Sequence, residues 1–298
     1  MPAERLADEV DLIIAPLHRP NFLEAHDVGL LLAQCLDKRL EAALVLAEAM
    51  ADVPRSESDD HAVDRRAWIG SAGSVGDVLK TTAVTKDFGD LVALEGINLE
   101  ASAGEMVAIV GHNGAGKSTL LRIISGLLEP TSGEIMVAGN EPGSIEARAA
   151  TSYLPDNPVL YDDLSVIEHL EYIARLHDRD DWEDHAWDLL KRLGLEHRAD
   201  DLPATFSRGL RQKAALAVGF VRPFQLLLID EPFVGLDASG RDALVTLLVE
   251  AAAEGAAVVV STHELGFLER ASRCVVLRDG VVVRDGALTA EVARELVS

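Results

Sequence analysis

"MVAIVGHNGAGKSTLLRIISGLL", residues 106 to 128, decides the fold. Its first five residues read as a buried strand, and the residues after position 117 read as a helix. Between them, Gly111 to Ser118 carries the spacing G-x-x-x-x-G-K-S. That layout suits an anion cradle: the backbone N–H groups of Gly111, His112, Asn113, Gly114, Ala115 and Gly116 can turn inward around phosphate oxygens. The helix N-terminus adds its positive end. Lys117 can reach the β- and γ-phosphates of a nucleoside triphosphate as a point charge. The Ser118 hydroxyl can ligate Mg²⁺, and Thr119 is placed for a further phosphate contact. The plainer reading is a glycine-rich turn before an ordinary helix.

A second stretch points to the same chemistry. "QLLLIDEPFVGLD", residues 225 to 237, is an apolar strand that ends in two carboxylates. A strand buried on both faces carries its polar residues at its C-terminal tip, where α/β sheets bind ligands. Asp230 is read as holding Mg²⁺ through its water shell. Glu231 is read as the general base that polarises an attacking water. The alternative is a solvated strand end with an Asp-Glu-Pro turn.

The rest of the chain frames these two stretches. It has 298 residues, 48% hydrophobic, with a formal net charge of −23. Such acidity opposes a general nucleic-acid binder, because phosphate backbones demand Lys and Arg. Cys35 and Cys274 supply no disulfide framework, which fits a reducing compartment. The start, "MPAERLADEVD", lacks the basic-then-apolar layout of a secretory leader, and no apolar run is long enough to span a membrane. Residues 1–54 read as a helical extension, with Asp27 as an N-cap, Leu32, Leu36, Leu40 and Leu44 four apart, and Pro54 at its end. Residues 55–78 read as a Ser-, Gly- and Asp-rich linker, with Trp68 and Ile69 as a docking point. From residue 79 to 298 short strands alternate with helix-length segments, the pattern of an α/β domain. Strands are expected at 106–110, 226–230 and 256–261, and a hairpin turning at Asp279-Gly280.

Taken together, these motifs resemble the ATP-hydrolysing subunits of ABC transporters. "GHNGAGKST" and "LLLIDEP" look like that family's Walker A and Walker B motifs. "FSRGLRQK", residues 206–213, sits where the family signature sits. "VGLD" resembles the D-loop, with Asp237, and "VVVSTHE" the switch strand, with His263. "TKDFGDLVALEGINLEASAGE" resembles the adenine-stacking segment, with Phe88 as the stacking ring. The resemblance implies a P-loop fold with a helical subdomain at about 157–215 and a small antiparallel β subdomain. It implies ATP and Mg²⁺ as ligands, and a head-to-tail pair of copies in which Ser207 and Gly209 of one close on the γ-phosphate held by the other. His263 would contact the γ-phosphate and the attacking water. A separate membrane-spanning permease would be the further partner, with this chain on the cytoplasmic face of the membrane and no nucleic acid involved. Plainer readings stand beside these: Ser207 as an ordinary N-cap, His263 as a strand cap, Phe88 as a core residue of the small subdomain.

Two departures matter. The family's Leu-Ser-Gly-Gly-Gln is here Phe206-Ser207-Arg208-Gly209-Leu210, a variant that resembles the ABC-2 subgroup of drug, lipid and ion exporters. The family's glutamine after "YLP" is here Asp156, which implies a metal ligand that adds negative charge, or else a cap on the next turn. Leu160, Tyr161, Leu164 and Ile167 are candidates for a groove that receives the permease, or simple core. A soluble ABC-type ATPase, or a nucleotide-dependent regulator that does not hydrolyse, remain the competing functions.

Overall fold

A computed structural model describes residues 77–262, 268 and 270–287. The helix expected over residues 1–54, most of the expected linker, and His263 lie outside the described residues. In chain order the elements are β1 (Asp77–Phe88), β2 (Leu91–Ser102), β3 (Met106–Val110), α1 (Lys117–Ile124), β4 (Ser132–Val137), α2 (Ile145–Ala150) and β5 (Thr151–Leu154). They continue as α3 (Val166–Leu176), α4 (Trp182–Leu193), α5 (Arg208–Phe220), β6 (Leu226–Asp230), α6 (Ala238–Ala253), β7 (Ala257–Ser261), β8 (Arg273–Arg278) and β9 (Val281–Gly286). β1 begins at Asp77, so the last two residues of the stretch read as linker are strand.

The strands form two sheets. One is antiparallel, in the order β2-β1-β4; the other runs β5-β6-β7-β3-β8-β9. In the larger sheet β5 to β8 are parallel and only β9 is antiparallel. Its central strands are apolar because both faces are covered. The two-residue period sends alternate side chains to two cores. Ala108, Leu227, Ile229, Val258 and Val260 face the core built with α4, α5 and α6. Val107, Ile109, Leu226, Leu228 and Val259 face the core shared with α1 and the small sheet. Each large aliphatic chain so buried contributes about 1.5–3 kcal/mol. β7 starts one residue later than the sequence pattern suggests. Ala256 instead closes the end of α6, its N–H donating to the Ala251 carbonyl.

Strand order sets the site. β7 lies between β6 and β3, so the loop leaving β3 and the acidic end of β6 emerge at the same carboxyl edge. They are two strand spacings apart, about 10 Å. A parallel sheet gathers its ligand-binding groups there.

Helices α3, α4 and α5 form a cluster beside this sheet. α3 opens with a capping box: Ser165 and Glu168 satisfy each other's backbone N–H. Just inside it, His169 is buried. Its Nδ1 donates to the Ser165 carbonyl at 2.7 Å, so Nε2 is free to accept the Tyr161 N–H at 2.8 Å. Burial is the main force that lowers its pKa, and burial together with the Arg222 guanidinium takes His177 down to about 4. Both folded values lie below the unfolded one. Their stabilisation is therefore present above about pH 6.5 and is lost as pH falls through the folded values. The urea midpoint is expected to drop between pH 7.5 and pH 5, and H169N to flatten part of that slope. An unchanged slope in H169N would rule out His169 as a source.

Candidate functional site

The phosphate loop occupies the turn between β3 and α1. Gly116 caps α1 with φ +105, and a Cβ there would stand 2.7 Å from Leu94 Cδ2 and 2.8 Å from the Ala93 carbonyl oxygen. Only glycine meets both demands. The loop is pinned from outside by the β8–β9 turn: the Gly280 N–H donates to the Ala115 carbonyl at 3.1 Å, while the Gly280 carbonyl accepts from Glu95 N–H at 2.8 Å. His112 adds a contact, its Nε2 lying 3.3 Å from Asp279 Oδ1.

A cleft of about 490 Å³ opens over this loop. It is lined by Phe88, Leu91, Val92 and Ala93 at one end, Asn113 to Thr119 along the floor, and Asp156, Glu231, Asp279 and Gly280 at the other sides. Such a volume lies within the usual range for a small-molecule site. Phe88 is half exposed at the end of β1 and walls the cleft, so it is not a core residue of the small sheet. The Lys86 ammonium lies 5.0 Å from its ring centroid and donates to the Glu129 carbonyl. That cation–π contact braces the ring against the chain.

Lys117 is nearly buried, with 6% of its side chain exposed. Its Nζ donates to the Gly111 carbonyl at 2.8 Å and lies 3.2 Å from Glu231 Oε1. A group from the first turn of α1 and one just past the tip of β6 thus meet in the cleft. Glu231 holds a left-handed backbone, φ +48, which L-residues adopt at a cost of about 1–2 kcal/mol. Its N–H donates to the Ser261 carbonyl at 3.0 Å, which fixes this turn to the tip of β7. Asp230, 2% exposed, ends β6 and accepts a hydrogen bond from the Ser261 hydroxyl. Burial, then the charge of Asp230, raises the Tyr153 phenol pKa, and Asp156 adds to the effect. Asp156 and Glu231 both line the cleft at this end of β5 and β6, with Asp230 next in sequence to Glu231.

Ser207, Gly209 and Asp237 do not line the cleft. Ser207 is exposed and N-caps α5, its hydroxyl accepting from Leu210 N–H at 3.3 Å. Asp237 N-caps α6, accepting from Gly240 N–H at 3.0 Å, and lies 2.9 Å from Lys213 Nζ. The Lys213 hydrogen bond is the largest influence holding the Asp237 carboxyl below the usual range. The Asp279-Gly280 turn, Leu91, Val92, Ser261 and Lys213 were not legible as site residues. Asp279-Gly280 announces a hairpin, but nothing local says that the hairpin abuts residue 115.

A glycine cradle and an acidic strand tip at one edge of a parallel sheet place the chain among the P-loop nucleoside triphosphatases. The ABC transporter family model matches residues 94–234. The SkfA peptide export ATP-binding protein SkfE of Bacillus subtilis (strain 168) is 36% identical over 195 residues, covering 64% of this chain and 82% of that protein. A solved ATP-binding subunit of an ABC transporter superposes with a TM-score of 0.68 at 35% identity, covering 73% of this chain and 92% of that one. A dimeric post-hydrolysis state of the ATP-binding cassette MJ0796, bound to ADP and Pi, superposes with a TM-score of 0.65 at 28% identity, covering 70% and 98%. Relatives include proteins named for export and a protein named for import. The chain belongs to the ATP-binding subunits of ABC transporters and is an ATPase of that family. Among the described residues, no helix is long and apolar enough to cross a membrane.

Proposed function

We propose that two copies of this chain close head to tail around ATP and drive a separate membrane-spanning exporter from the cytoplasmic face. One observation carries the reading. Lys117 and Glu231 meet in the cleft that Phe88 walls, whereas the exposed Ser207 and the half-buried Gly209 lie outside it. The Ser207 helix thus has no nucleotide of its own to serve and suits the anion of a second copy.

Each residue then has a task. Phe88 stacks on the base. The backbone N–H groups from Gly111 to Gly116 enclose the phosphates, with Lys117, Ser118 and Thr119 completing the cradle. Glu231 takes the proton from the attacking water, and His263 contacts that water and the γ-phosphate. Ser207 and the free N–H groups at the start of α5 face the partner's γ-phosphate. Asp237 lies at the seam between the copies.

Mg²⁺ fits this donor set. Ser118 lines the cleft and Asp230 ends β6, two strands from β3 at the same sheet edge; one hydroxyl and one or two carboxylates beside a triphosphate are what an ion that keeps several waters accepts. When bound, Mg²⁺ would neutralise charge on the β- and γ-phosphates. Asp156 is the optional second carboxylate, and it brings a charge that a glutamine would not. Export rather than import is supported by the Ser207-Arg208-Gly209 variant and by the likeness to SkfE.

The test is capture of the full chain from membranes of its own cells in the presence of ATP. Recovery of a multi-span membrane protein, with phosphate release by the captured complex, is the expected result. Recovery of ribosomes or DNA in its place would overturn the coupling to transport.

A further inference from the structure

One face of α5 is fastened to the chain that follows Glu231. A Cβ on Gly209 would stand 2.5 Å from the Gly235 carbonyl oxygen, so helix and loop touch backbone to backbone. One turn on, the Gln212 amide reaches the Pro232 carbonyl at 3.5 Å. Beside it Lys213 meets Asp237 at 2.9 Å. Positions 209, 212 and 213 share a helix face by their spacing.

Lys213 is the unusual member. Its side chain is 11% exposed, whereas that of Asp237 is 62% exposed. A Cβ on Gly240 would lie 2.7 Å from Lys213 Cε, so the stem is packed under the first turn of α6. A surface lysine has no need of such a seat. A largely buried ammonium persists only where a partner compensates its lost hydration. The pair therefore holds α5 at one setting relative to the Glu231–Asp237 segment. Ser207, at the start of α5, faces outward; Glu231, at the start of the segment, faces the chain's own cleft.

We propose that Lys213 is a positioning residue: through Asp237 it ties the Ser207 helix to the Glu231 segment, so that closure on one nucleotide sets the base at the other. The inference rests on the head-to-tail dimer proposed above.

The test uses full-length K213M, K213R, D237N and the K213M/D237N double variant, with phosphate release measured against ATP concentration. Asn caps a helix as well as Asp does, so D237N removes the ion pair and keeps the cap. The wild-type curve is expected to be sigmoidal. K213M and D237N are expected to lower kcat about tenfold and to bring the Hill coefficient toward unity. K213R is expected to restore both. The half-saturating ATP concentration should move less than about twofold, because the phosphate loop is untouched, and the double variant should be no worse than either single one. Thermal melting separates these effects from simple loss of folded protein. A K213M curve as sigmoidal as the wild type, with activity reduced only in proportion to folded protein, would overturn the proposal while leaving the dimer intact. Additive defects in the double variant would overturn it too. A wild type that neither dimerises with ATP nor shows sigmoidal turnover removes the dimer reading, and this proposal with it.

Discussion

Glu231→Gln is expected to lower ATP turnover by about 10²–10⁴-fold and to convert the chain into a stable ATP-bound dimer. The range is that of a lost general base. Dimerisation follows from the geometry of the pair it belongs to. Glu231 Oε1 lies 3.2 Å from Lys117 Nζ, and both groups are largely shielded from water. A carboxylate at that place attracts the lysine and repels an incoming γ-phosphate. Gln keeps the shape and the hydrogen bond but drops the repulsion, so nucleotide binds at least as tightly while its hydrolysis stalls. The free variant should melt lower than the wild type, because one partner of a shielded ion pair is gone. Saturating ATP should then raise its melting temperature more than it raises that of the wild type. Gel filtration with light scattering checks the mass, and phosphate release checks the rate. Turnover at the parent rate would remove Glu231 from the role of base.

The sequence made the larger sheet easy to read and the smaller one hard. β3 and β6 occupy the five residues each that their apolar runs mark, since a strand covered on both faces has little choice of composition. β1 is twelve residues of mixed polarity, half exposed, with register shifts against both neighbours and a left-handed Ala83. Its period is broken where it bulges, so no simple alternation survives. The phosphate loop was legible because its chemistry is local: spacing, small residues and one lysine. Phe88 came from resemblance alone. The clamp from Gly280 to Ala115 and the seat of Lys213 beneath α6 depend on packing between distant segments. Periodicity carries no record of such meetings. Asp156 falls between these cases. Its position was legible as a departure from the family pattern, and it does line the cleft. Its consequence depends on the charge of Asp230 and Glu231 nearby, which only strand order reveals.

Lys117→Ala is expected to abolish detectable turnover and to weaken ATP binding by at least about 100-fold, the equivalent of about 2.7 kcal/mol. Two effects act in the same direction. The cation proposed to meet the β- and γ-phosphates is removed. The Glu231 carboxylate, 15% exposed, is left without it, facing the incoming triphosphate. Unit charges 4 Å apart interact with about 4 kcal/mol at the effective dielectric of a shielded site, so either effect alone could account for the loss. The double variant K117A/E231Q separates them. Removal of the carboxylate should recover part of the binding lost in K117A, by about tenfold or more, with no recovery of hydrolysis. Fluorescent-nucleotide titration at low and moderate salt supplies the measurement. Recovery in the double variant means that, before ATP arrives, Lys117 is already engaged by the base, and that nucleotide must displace this contact to enter. If K117A and E231Q instead act independently on affinity, the 3.2 Å contact has no energetic consequence for binding. The lysine would then act on the phosphates alone.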